Sequence, residues 1–183
     1  MIRKATAADI PDVAGIYEAV ASKEAERPMT GWKVGIYPTG RDAMESLEKG
    51  HLFVMEQDGY IVATGRINQI QQPEYALCDW LYKAPDEQVM VLHTLCVDPD
   101  WSGRGCAREF LRFYEEYARE HGCTCLRIDT NAINTIARAM YAKFGYREAG
   151  IVHCTFNGID GIDLVMLEKI GRASCRERVY LEV

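Results

Sequence analysis

The stretch VLHTLCVDPDWSGRGCAREFL, residues 91–111, predicts a buried strand, a glycine-rich turn and the first half of a helix. The first backbone N–H groups of a helix have no partner within the helix, and the helix dipole places partial positive charge at the same end. A strand, a turn and a helix joined in this order therefore form a site that attracts anions. The sequence predicts that an anionic ligand binds at this turn.

Apolar residues continue the helical pattern beyond the turn. Five of them recur at the spacing of one helix face, which predicts a helix buried against a sheet: Ala107, Phe110, Leu111, Tyr114 and Ala118. Residues 124–129 are short and apolar, as in a central strand, and residues 133–145 repeat the helical spacing. A strand at 88–97, the first helix and the strand at 124–129 therefore predict a parallel βαβ unit.

Two dipeptides predict tight turns between antiparallel strands. Asp58-Gly59 joins apolar runs at 51–56 and 60–68, and Asn157-Gly158 joins runs at 150–156 and 159–169. Glycine tolerates the positive φ that such turns require. With a first strand at 2–5 and two helices before residue 50, these elements predict an α/β fold of the α+β kind. We expect a central, mixed and mostly antiparallel sheet of about seven strands with helices on both faces.

Length and composition favour a single domain. The 183 residues are 48% hydrophobic and 26% charged, which is enough to bury one sizeable core. We expect this domain to cover residues 1–169. Residues 170–183 change in composition and are rich in arginine. We therefore assign them to a C-terminal tail, which is either native or an addition from expression.

The charge and the cysteines restrict the partners. A net charge of -6 disfavours nucleic acid and anionic membranes, because both select a basic face. No apolar run approaches the roughly 20 residues that span a bilayer, and the N-terminus lacks the apolar core of a secretory signal. Seven cysteines without CxxC spacing, beside only four histidines, predict free thiols and no metal site. We expect a cytoplasmic protein that acts on a small molecule.

Two motifs resemble signatures of the GCN5-related N-acetyltransferase (GNAT) superfamily. The first, [Q/R]-x-x-G-x-[G/A], falls on residues 102–107, SGRGCA, where Ser102 replaces the usual glutamine or arginine. The second, N-x-x-A-x-x-x-Y-x-[K/R]-x-G-F, falls on residues 134–146, with Tyr146 in place of phenylalanine. The resemblance covers nearly all of residues 1–169. It implies the GNAT fold, with acetyl-CoA as the cofactor bound at the predicted anion site.

The resemblance also implies roles for individual residues. Asn134 hydrogen-bonds the pantetheine arm of coenzyme A, and Tyr141, two helical turns later, donates a proton to the departing thiolate. Backbone N–H groups near residues 95–97 stabilise charge on the carbonyl oxygen. The residues expected to bind the cofactor are Leu95, Cys96, Val97, Gly103, Arg104, Gly105, Cys106, Ala107, Arg108, Asn134, Ala137 and Tyr141.

The implied reaction is direct attack of a primary amine on the thioester, and the motifs do not name the general base. Strand alternation predicts that His93 shares the face of Leu95 and Val97, within reach of the acceptor. Cys96 then points to the opposite face, which disfavours a cysteine acyl-enzyme. Further candidates for the base are Glu74, Asp79, Asp129 and His153.

Two irregular segments, 29–39 and 69–87, are expected to form the acceptor pocket. Their aromatic residues would supply its walls: Trp32, Tyr37, Tyr75 and Trp80. The acids of the second segment favour a cationic acceptor. A small-molecule amine therefore ranks ahead of a peptide or protein amine.

Other functions stay open at the level of sequence. A non-catalytic acyl-CoA-binding or sensing module would have the same fold, and Ser102 is compatible with it. A nucleotide-phosphate protein is disfavoured, because no Walker lysine follows the glycines. Edge strands near the C-terminus could pair two copies into a homodimer, as the family's habits suggest.

Overall fold

The computed structural model describes residues 1–171, which form four α-helices and one seven-stranded sheet. The rest of the predicted tail, residues 172–183, lies outside the described residues. The strands are β1 (Ile2–Lys4), β2 (Leu52–Gln57), β3 (Tyr60–Asn68), β4 (Val89–Val97), β5 (Cys125–Asn131), β6 (Arg147–Phe156) and β7 (Ile159–Ile170). The helices are α1 (Ile10–Lys23), α2 (Gly40–Glu48), α3 (Cys106–Glu120) and α4 (Thr135–Lys143).

The strand order β1-β2-β3-β4-β5-β7-β6 confirms a mixed, mostly antiparallel sheet. Only β4 and β5 run parallel within residues 1–171, and they form the predicted βαβ unit around α3. Both predicted hairpins are present, with positive φ at Asp58, Gly59, Asn157 and Gly158. The second hairpin enters the sheet with its later strand inside, because β7 lies between β5 and β6.

Helices cover both faces of the sheet, as predicted. On one face, Phe110, Leu111 and Tyr114 of α3 pack with Tyr141 of α4 over the middle strands. On the other face, α1 contributes Val13, Ile16 and Tyr17 to a separate buried cluster. The middle strands are therefore buried on both sides, which explains their near-continuous apolar sequence.

A β-bulge interrupts β4 at Thr94. Arg66 of β3 pairs with His93 and Thr64 pairs with Cys96, so Thr94 and Leu95 together lie opposite Gly65. Thr94 has a φ of 53°, which is an outlier for a β-branched residue. One extra residue in one strand moves the side chains that follow it to the opposite face of the sheet from the one that regular alternation predicts.

The bulge overturns one expectation about His93. Leu95 and Val97 pack on the α3 side, together with Leu92, whereas Val91 packs on the opposite side. His93 follows Val91 at the two-residue period, so it lies on the face opposite Leu95 and Val97. The prediction of a shared face is wrong, because it assumed regular alternation through Thr94. Cys96 does point away from Leu95, into the cluster under α1.

The strands β4 and β5 separate halfway along their length. Their pairing covers Val89–Leu92 and Cys125–Ile128 and then stops, although both strands continue. Beyond this point β5 pairs only with β7, and β4 pairs only with β3. A gap therefore opens in the middle of the sheet, at the ends of both strands that lead towards α3 and α4.

Gly65 is a test of the packing behind the bulge. A Cβ atom added at Gly65 would lie 2.8 Å from Cε1 of Phe110, in a buried position. We expect Gly65→Ala to lower the free energy of unfolding by about 1–3 kcal/mol, because the core cannot accept the methyl group without shifts. The matched control is Gly15→Ala in α1, where a Cβ meets nothing within 4 Å. We expect the control to raise stability by about 0.5–1 kcal/mol. Urea unfolding measures both changes, and equal effects would contradict this description of the core.

Candidate active site

A cleft of about 720 Å³, counting the solvent at its mouth, occupies the gap between β4 and β5. The structure brings together residues that the sequence predicted from separate motifs. Those that line the cleft are Trp32, Tyr37, His93, Leu95, Asn134, Ala137 and Tyr141. The cleft therefore connects the β4 strand, the start of α4 and the loop that precedes α2.

The turn before α3 has the backbone geometry of an anion site. Gly103 and Gly105 have φ values of 77° and 91°, and Gly105 is the N-cap residue of α3. No side chain caps this helix, so the N–H groups of its first turn remain available. The guanidinium of Arg108 lies 3.7 Å from where a Cβ on Gly105 would be, and Arg104 stacks on Trp101. The site fits a pyrophosphate group such as that of coenzyme A.

Two predicted cofactor residues can contribute only their backbone. The side chain of Cys106 is buried, with its Sγ 3.9 Å from the carbonyl oxygen of Trp101. The side chain of Cys96 is buried under α1. Ser102, at the position where the family uses a long polar side chain, is exposed. The positive charge at this turn therefore comes from Arg104, Arg108 and the N-terminus of α3.

The amide oxygen of Asn134 caps the start of α4. This atom, Oδ1, accepts a hydrogen bond of 3.1 Å from the N–H of Ala137. The Nδ2 amide makes no hydrogen bond to the rest of the described chain, and its two N–H groups can donate to a ligand. Asn134 thus positions α4 at the edge of the cleft and presents hydrogen-bond donors to it.

Tyr141 is the best-placed acid in the cleft. Its side chain is 4% exposed and packs edge-on against Tyr146, with ring centroids 6.0 Å apart. Burial raises the pKa of the Tyr141 phenol above its ordinary value, and the charge of Asp129 raises it further. The phenol is therefore protonated at neutral pH and can donate a proton.

His93 offers an unpaired lone pair to the same cleft. Its Nε2 lies 3.1 Å from the carbonyl oxygen of Ile70 and 3.2 Å from Oδ1 of Asn68. A carbonyl oxygen only accepts, so Nε2 carries the proton in the neutral ring. Asn68 is itself fixed, since its Oδ1 also accepts from the N–H of Ile70 at 2.8 Å. The Nδ1 atom is consequently an acceptor, and it is buried without a hydrogen-bond partner.

Asp129 faces His93 across the gap. Its Oδ2 lies 3.7 Å from Nδ1 of His93 and accepts a hydrogen bond of 2.7 Å from the hydroxyl of Tyr75. Both residues directly follow the last paired positions, Leu92 and Ile128. The separation of the strands thus creates a polar pair at its base, in reach of a ligand that enters the cleft.

The loop before α2 covers one side of the cleft. Glu24 holds this loop by accepting hydrogen bonds from the N–H groups of Met29, Thr30 and Gly31, at 3.0, 2.8 and 2.9 Å. The hydroxyl groups of Tyr37 and Thr94 lie 2.5 Å apart, which joins the loop to the bulge. Trp32 and Tyr37 of this loop both line the cleft, and their contact with an acceptor stays a prediction.

The segment 69–87 takes a different position from the one expected. Of this segment, only Gln72 lines the cleft. Trp80 stacks on the guanidinium of Arg127 at 4.0 Å, and the N–H groups of Leu81 and Tyr82 donate to the buried carboxylate of Glu168.

The expectation that this segment walls the pocket with aromatic residues needs correction. Trp80 stacks on the guanidinium of Arg127 and does not line the cleft. Tyr75 donates to Asp129 but does not line the cleft either. Glu74, in the turn Pro73–Leu77, does not line the cleft either. Among the other base candidates, Asp79 is exposed, and His153 pairs on the surface with Asp163.

Three residues of the site were not predicted from the sequence: Arg66, Asn68 and Thr94. Arg66 and Thr94 line the cleft, and Asn68 fixes the ring of His93. A signal for two of them was present, because Thr64, Arg66 and Asn68 alternate as polar residues in an otherwise apolar strand. Thr94 gave no signal, since a bulge has no sequence pattern of its own at this position.

Comparison with known families decides the assignment. The Acetyltransferase (GNAT) family matches residues 17–146, more than half of the chain. The chain belongs to this family. The match confirms the resemblance drawn from the two motifs.

Solved GNAT structures share the whole architecture. An acetyltransferase of the GNAT family from Streptococcus agalactiae 2603 superimposes with a TM-score of 0.80, at 23% identity, over 94% of this chain and 95% of that one. The structure of yncA from Salmonella typhimurium, solved with its cofactor acetyl-CoA, gives a TM-score of 0.69 at 15% identity, over 95% of both chains. These similarities confirm the fold.

Curated relatives match a shorter part of the GNAT domain. The uncharacterised N-acetyltransferase MJ1207 of Methanocaldococcus jannaschii is 28% identical over 75 residues, which is 41% of this chain and 33% of the relative. The chain spans less than half the length of the curated relatives it matches.

Within residues 1–171, no helix is long and apolar enough to cross a membrane, and no cluster of three metal-ligating side chains occurs.

The tautomer of His93 is a direct test of the site's geometry. We expect long-range ¹H–¹⁵N spectra at about pH 8, where histidines are mostly neutral, to show His93 protonated at Nε2. His121 is an internal control, because its Nδ1 lies 2.7 Å from the carbonyl oxygen of Tyr117 and must carry the proton. A His93 ring protonated at Nδ1 would contradict the assignment of the free lone pair.

Proposed function

We propose that this GNAT protein transfers an acetyl group from acetyl-CoA to a primary amine of a small molecule, with peptide or protein amines as second choice. One observation carries the proposal. Tyr141, with a buried and protonated phenol, and His93, with an unpaired imidazole nitrogen, line the same cleft. The cleft therefore brings together a candidate acid and a candidate base, and the uncapped N-terminus of α3, the helix that follows β4, is the candidate anion site.

The cofactor assignment rests on the end of the cleft nearest α3. Acetyl-CoA would place its pyrophosphate on the N–H groups of residues 103–107, with Arg104 and Arg108 nearby. Asn134 would donate to the pantetheine arm through Nδ2. The acetyl-CoA in the yncA structure, which shares this fold, supports the assignment. When bound, acetyl-CoA supplies the acetyl group as a thioester, with the thiol as leaving group.

The proposed base is His93. An amine attacks only in its neutral form, so a group in the cleft must take a proton from the ammonium. Nδ1 of His93 is an acceptor with no partner, and Asp129 lies close enough to stabilise the imidazolium that results. The hydrogen bonds at Nε2 hold the ring in the tautomer that this step requires.

The proposed acid is Tyr141. As the carbon–sulfur bond breaks, the phenol proton would pass to the thiolate sulfur, so that coenzyme A leaves as a thiol. The resulting phenolate would take up the second proton that the attacking nitrogen loses as the amide forms. Negative charge on the carbonyl oxygen would be stabilised by backbone N–H groups of β4 around Leu95, on the side where no strand of residues 1–171 pairs with it. The products are the N-acetylated amine and coenzyme A.

The compartment and the oligomeric state stay predictions. We place the enzyme in the cytoplasm, which the free thiols of the six cysteines within residues 1–171 support. A homodimer through the C-terminal edge strand also stays a prediction.

Tyr141→Phe tests the acid. We expect kcat to fall by about 100-fold or more, because general acid catalysis contributes on the order of 10²–10⁴. The raised pKa of Tyr141 predicts that wild-type activity keeps this acid until the pH exceeds about 10, the ordinary tyrosine value. Release of free thiol from acetyl-CoA across pH measures both. Tyr146→Phe is the matched control: this neighbouring ring does not line the cleft, and its removal of a hydroxyl should leave kcat unchanged. A near wild-type kcat in Tyr141→Phe would exclude the acid role.

Arg108→Gln tests the phosphate site. We expect the Kd of acetyl-CoA to rise about tenfold or more, since a hydrogen bond to a charged group contributes about 1.5–3 kcal/mol. Titration calorimetry measures it, with Arg119→Gln as control, because Arg119 pairs with Glu116 on the exposed side of α3. Unchanged affinity in Arg108→Gln would contradict this site. Tight acetyl-CoA binding without thiol release over a broad amine panel would instead identify a non-catalytic acyl-CoA-binding module.

A further inference from the structure

Arg66 is the one cleft residue whose charge the protein leaves largely uncompensated. Its Nη2 donates to the hydroxyl of Tyr37 at 3.0 Å, and this is its only side-chain hydrogen bond within residues 1–171. Its Nε is buried and has no partner, and no carboxylate among these residues forms an ion pair with it. A guanidinium carries five N–H donors, so several of them remain unused.

A buried donor without a partner costs free energy that a ligand can recover. Arg66 is only partly buried, so this cost falls on the buried Nε, while the other N–H groups that lack a protein partner are open to the cleft. The planar guanidinium matches a carboxylate better than any other common anionic group, because two parallel hydrogen bonds can form. The arrangement around Arg66 thus indicates a carboxylate ligand in the cleft.

The charges of the cleft form a complementary pair. Arg66 is paired in register with His93, so the cationic side chain and the proposed base lie next to each other on neighbouring strands. Asp129, which faces His93, supplies one negative charge, and the hydroxyl of Tyr75 occupies only one of its oxygens. An ammonium group at the His93–Asp129 pair and a carboxylate at Arg66 would satisfy both charges with one small zwitterion.

The remaining wall accommodates an apolar body. Five apolar residues line the cleft: Trp32, Phe156, and Ile159, Ile162 and Leu164 of β7. The cleft holds no acidic side chain besides Asp129 among the residues that line it. A second cationic group on the acceptor would therefore meet Arg66 and be repelled, which argues against polyamines.

We propose that the acceptor is an α-amino acid with an apolar side chain, whose carboxylate pairs with Arg66 while its amino group lies at His93 and Asp129. This inference rests on the proposed acetyl transfer and names its substrate class. It revises the expectation of a simple cationic amine. It also disfavours peptide N-termini, the second choice above, because a peptide bond replaces the carboxylate that Arg66 would bind.

Matched ligand trios test the inference. Each trio contains a free amino acid, its carboxamide and the decarboxylated amine: L-leucine, L-leucinamide and 3-methylbutylamine, with corresponding sets for phenylalanine and methionine. Thiol release from acetyl-CoA gives kcat/KM, and calorimetry on the protein with coenzyme A gives the affinity of each compound. We expect the free acid to exceed both analogues by about tenfold or more in at least one trio.

Variants of Arg66 locate the effect. We expect Arg66→Gln to lower kcat/KM for the free acid by about 10- to 100-fold and to change that of the decarboxylated amine by less than about threefold. Arg66→Lys should restore part of the loss, because it keeps the charge without the planar pair of donors. Arg119→Gln should behave as wild type. Thermal unfolding confirms that each variant is folded. If Arg66→Gln is not folded, Arg66→Lys alone tests the role of the guanidinium.

The outcomes separate this inference from the proposed function. Equal turnover of all three members of every trio, or an equal loss for all three in Arg66→Gln, would overturn the carboxylate site while acetyl transfer stands. If no amine releases thiol, the proposed function fails, and calorimetry then decides the inference alone. Binding of the free acid that Arg66→Gln weakens would support the site, and no binding of any free acid would overturn it.

Discussion

The separation of β4 from β5 beyond Leu92 and Ile128 is the constraint on which the rest of the site depends. Parallel strands are joined by evenly spaced hydrogen bonds, so a ladder that stops halfway leaves backbone groups that another partner must satisfy. The bulge at Thr94 lies at the point of separation, and its positive φ costs on the order of 1–3 kcal/mol. The short hydrogen bond between Tyr37 and Thr94 stabilises this conformation. The loop over the cleft and the strained strand therefore support each other.

The gap joins two faces of the sheet that an intact sheet would keep apart. On the α3 side it meets Leu95 and the proposed acid Tyr141, and on the other side it meets His93 and Arg66. A cofactor and an acceptor could therefore approach from opposite faces and meet between the strands. His93 and Asp129 are the first residues past the last paired positions, so the same separation that admits ligands also leaves their charges to be satisfied.

Periodicity in the sequence was sufficient for most of the fold, and the cofactor end of the site stays a prediction from the two motifs. The apolar face of α3, the two glycine turns and the strand between two helices each depend on local residues, and the structure has all of them. The motif around Asn134 and Tyr141 likewise lies within one helix. The acceptor end could not be predicted in this way. It depends on a bulge that inverts the alternation after His93, and on two buried side chains, Arg127 and Glu168, which contact residues 80–82 and hold them away from the cleft. Both arise from contacts between residues distant in sequence.

A crystal structure with acetyl-CoA tests the central claim most directly, because the claim is that the gap between β4 and β5 holds the thioester. We expect the pyrophosphate on the N–H groups of residues 103–107 and the thioester between the β4 backbone at Leu95 and the hydroxyl of Tyr141, with β4 and β5 still apart. Acetyl-CoA bound with its thioester outside the gap, or a gap that closes when acetyl-CoA binds, would contradict it.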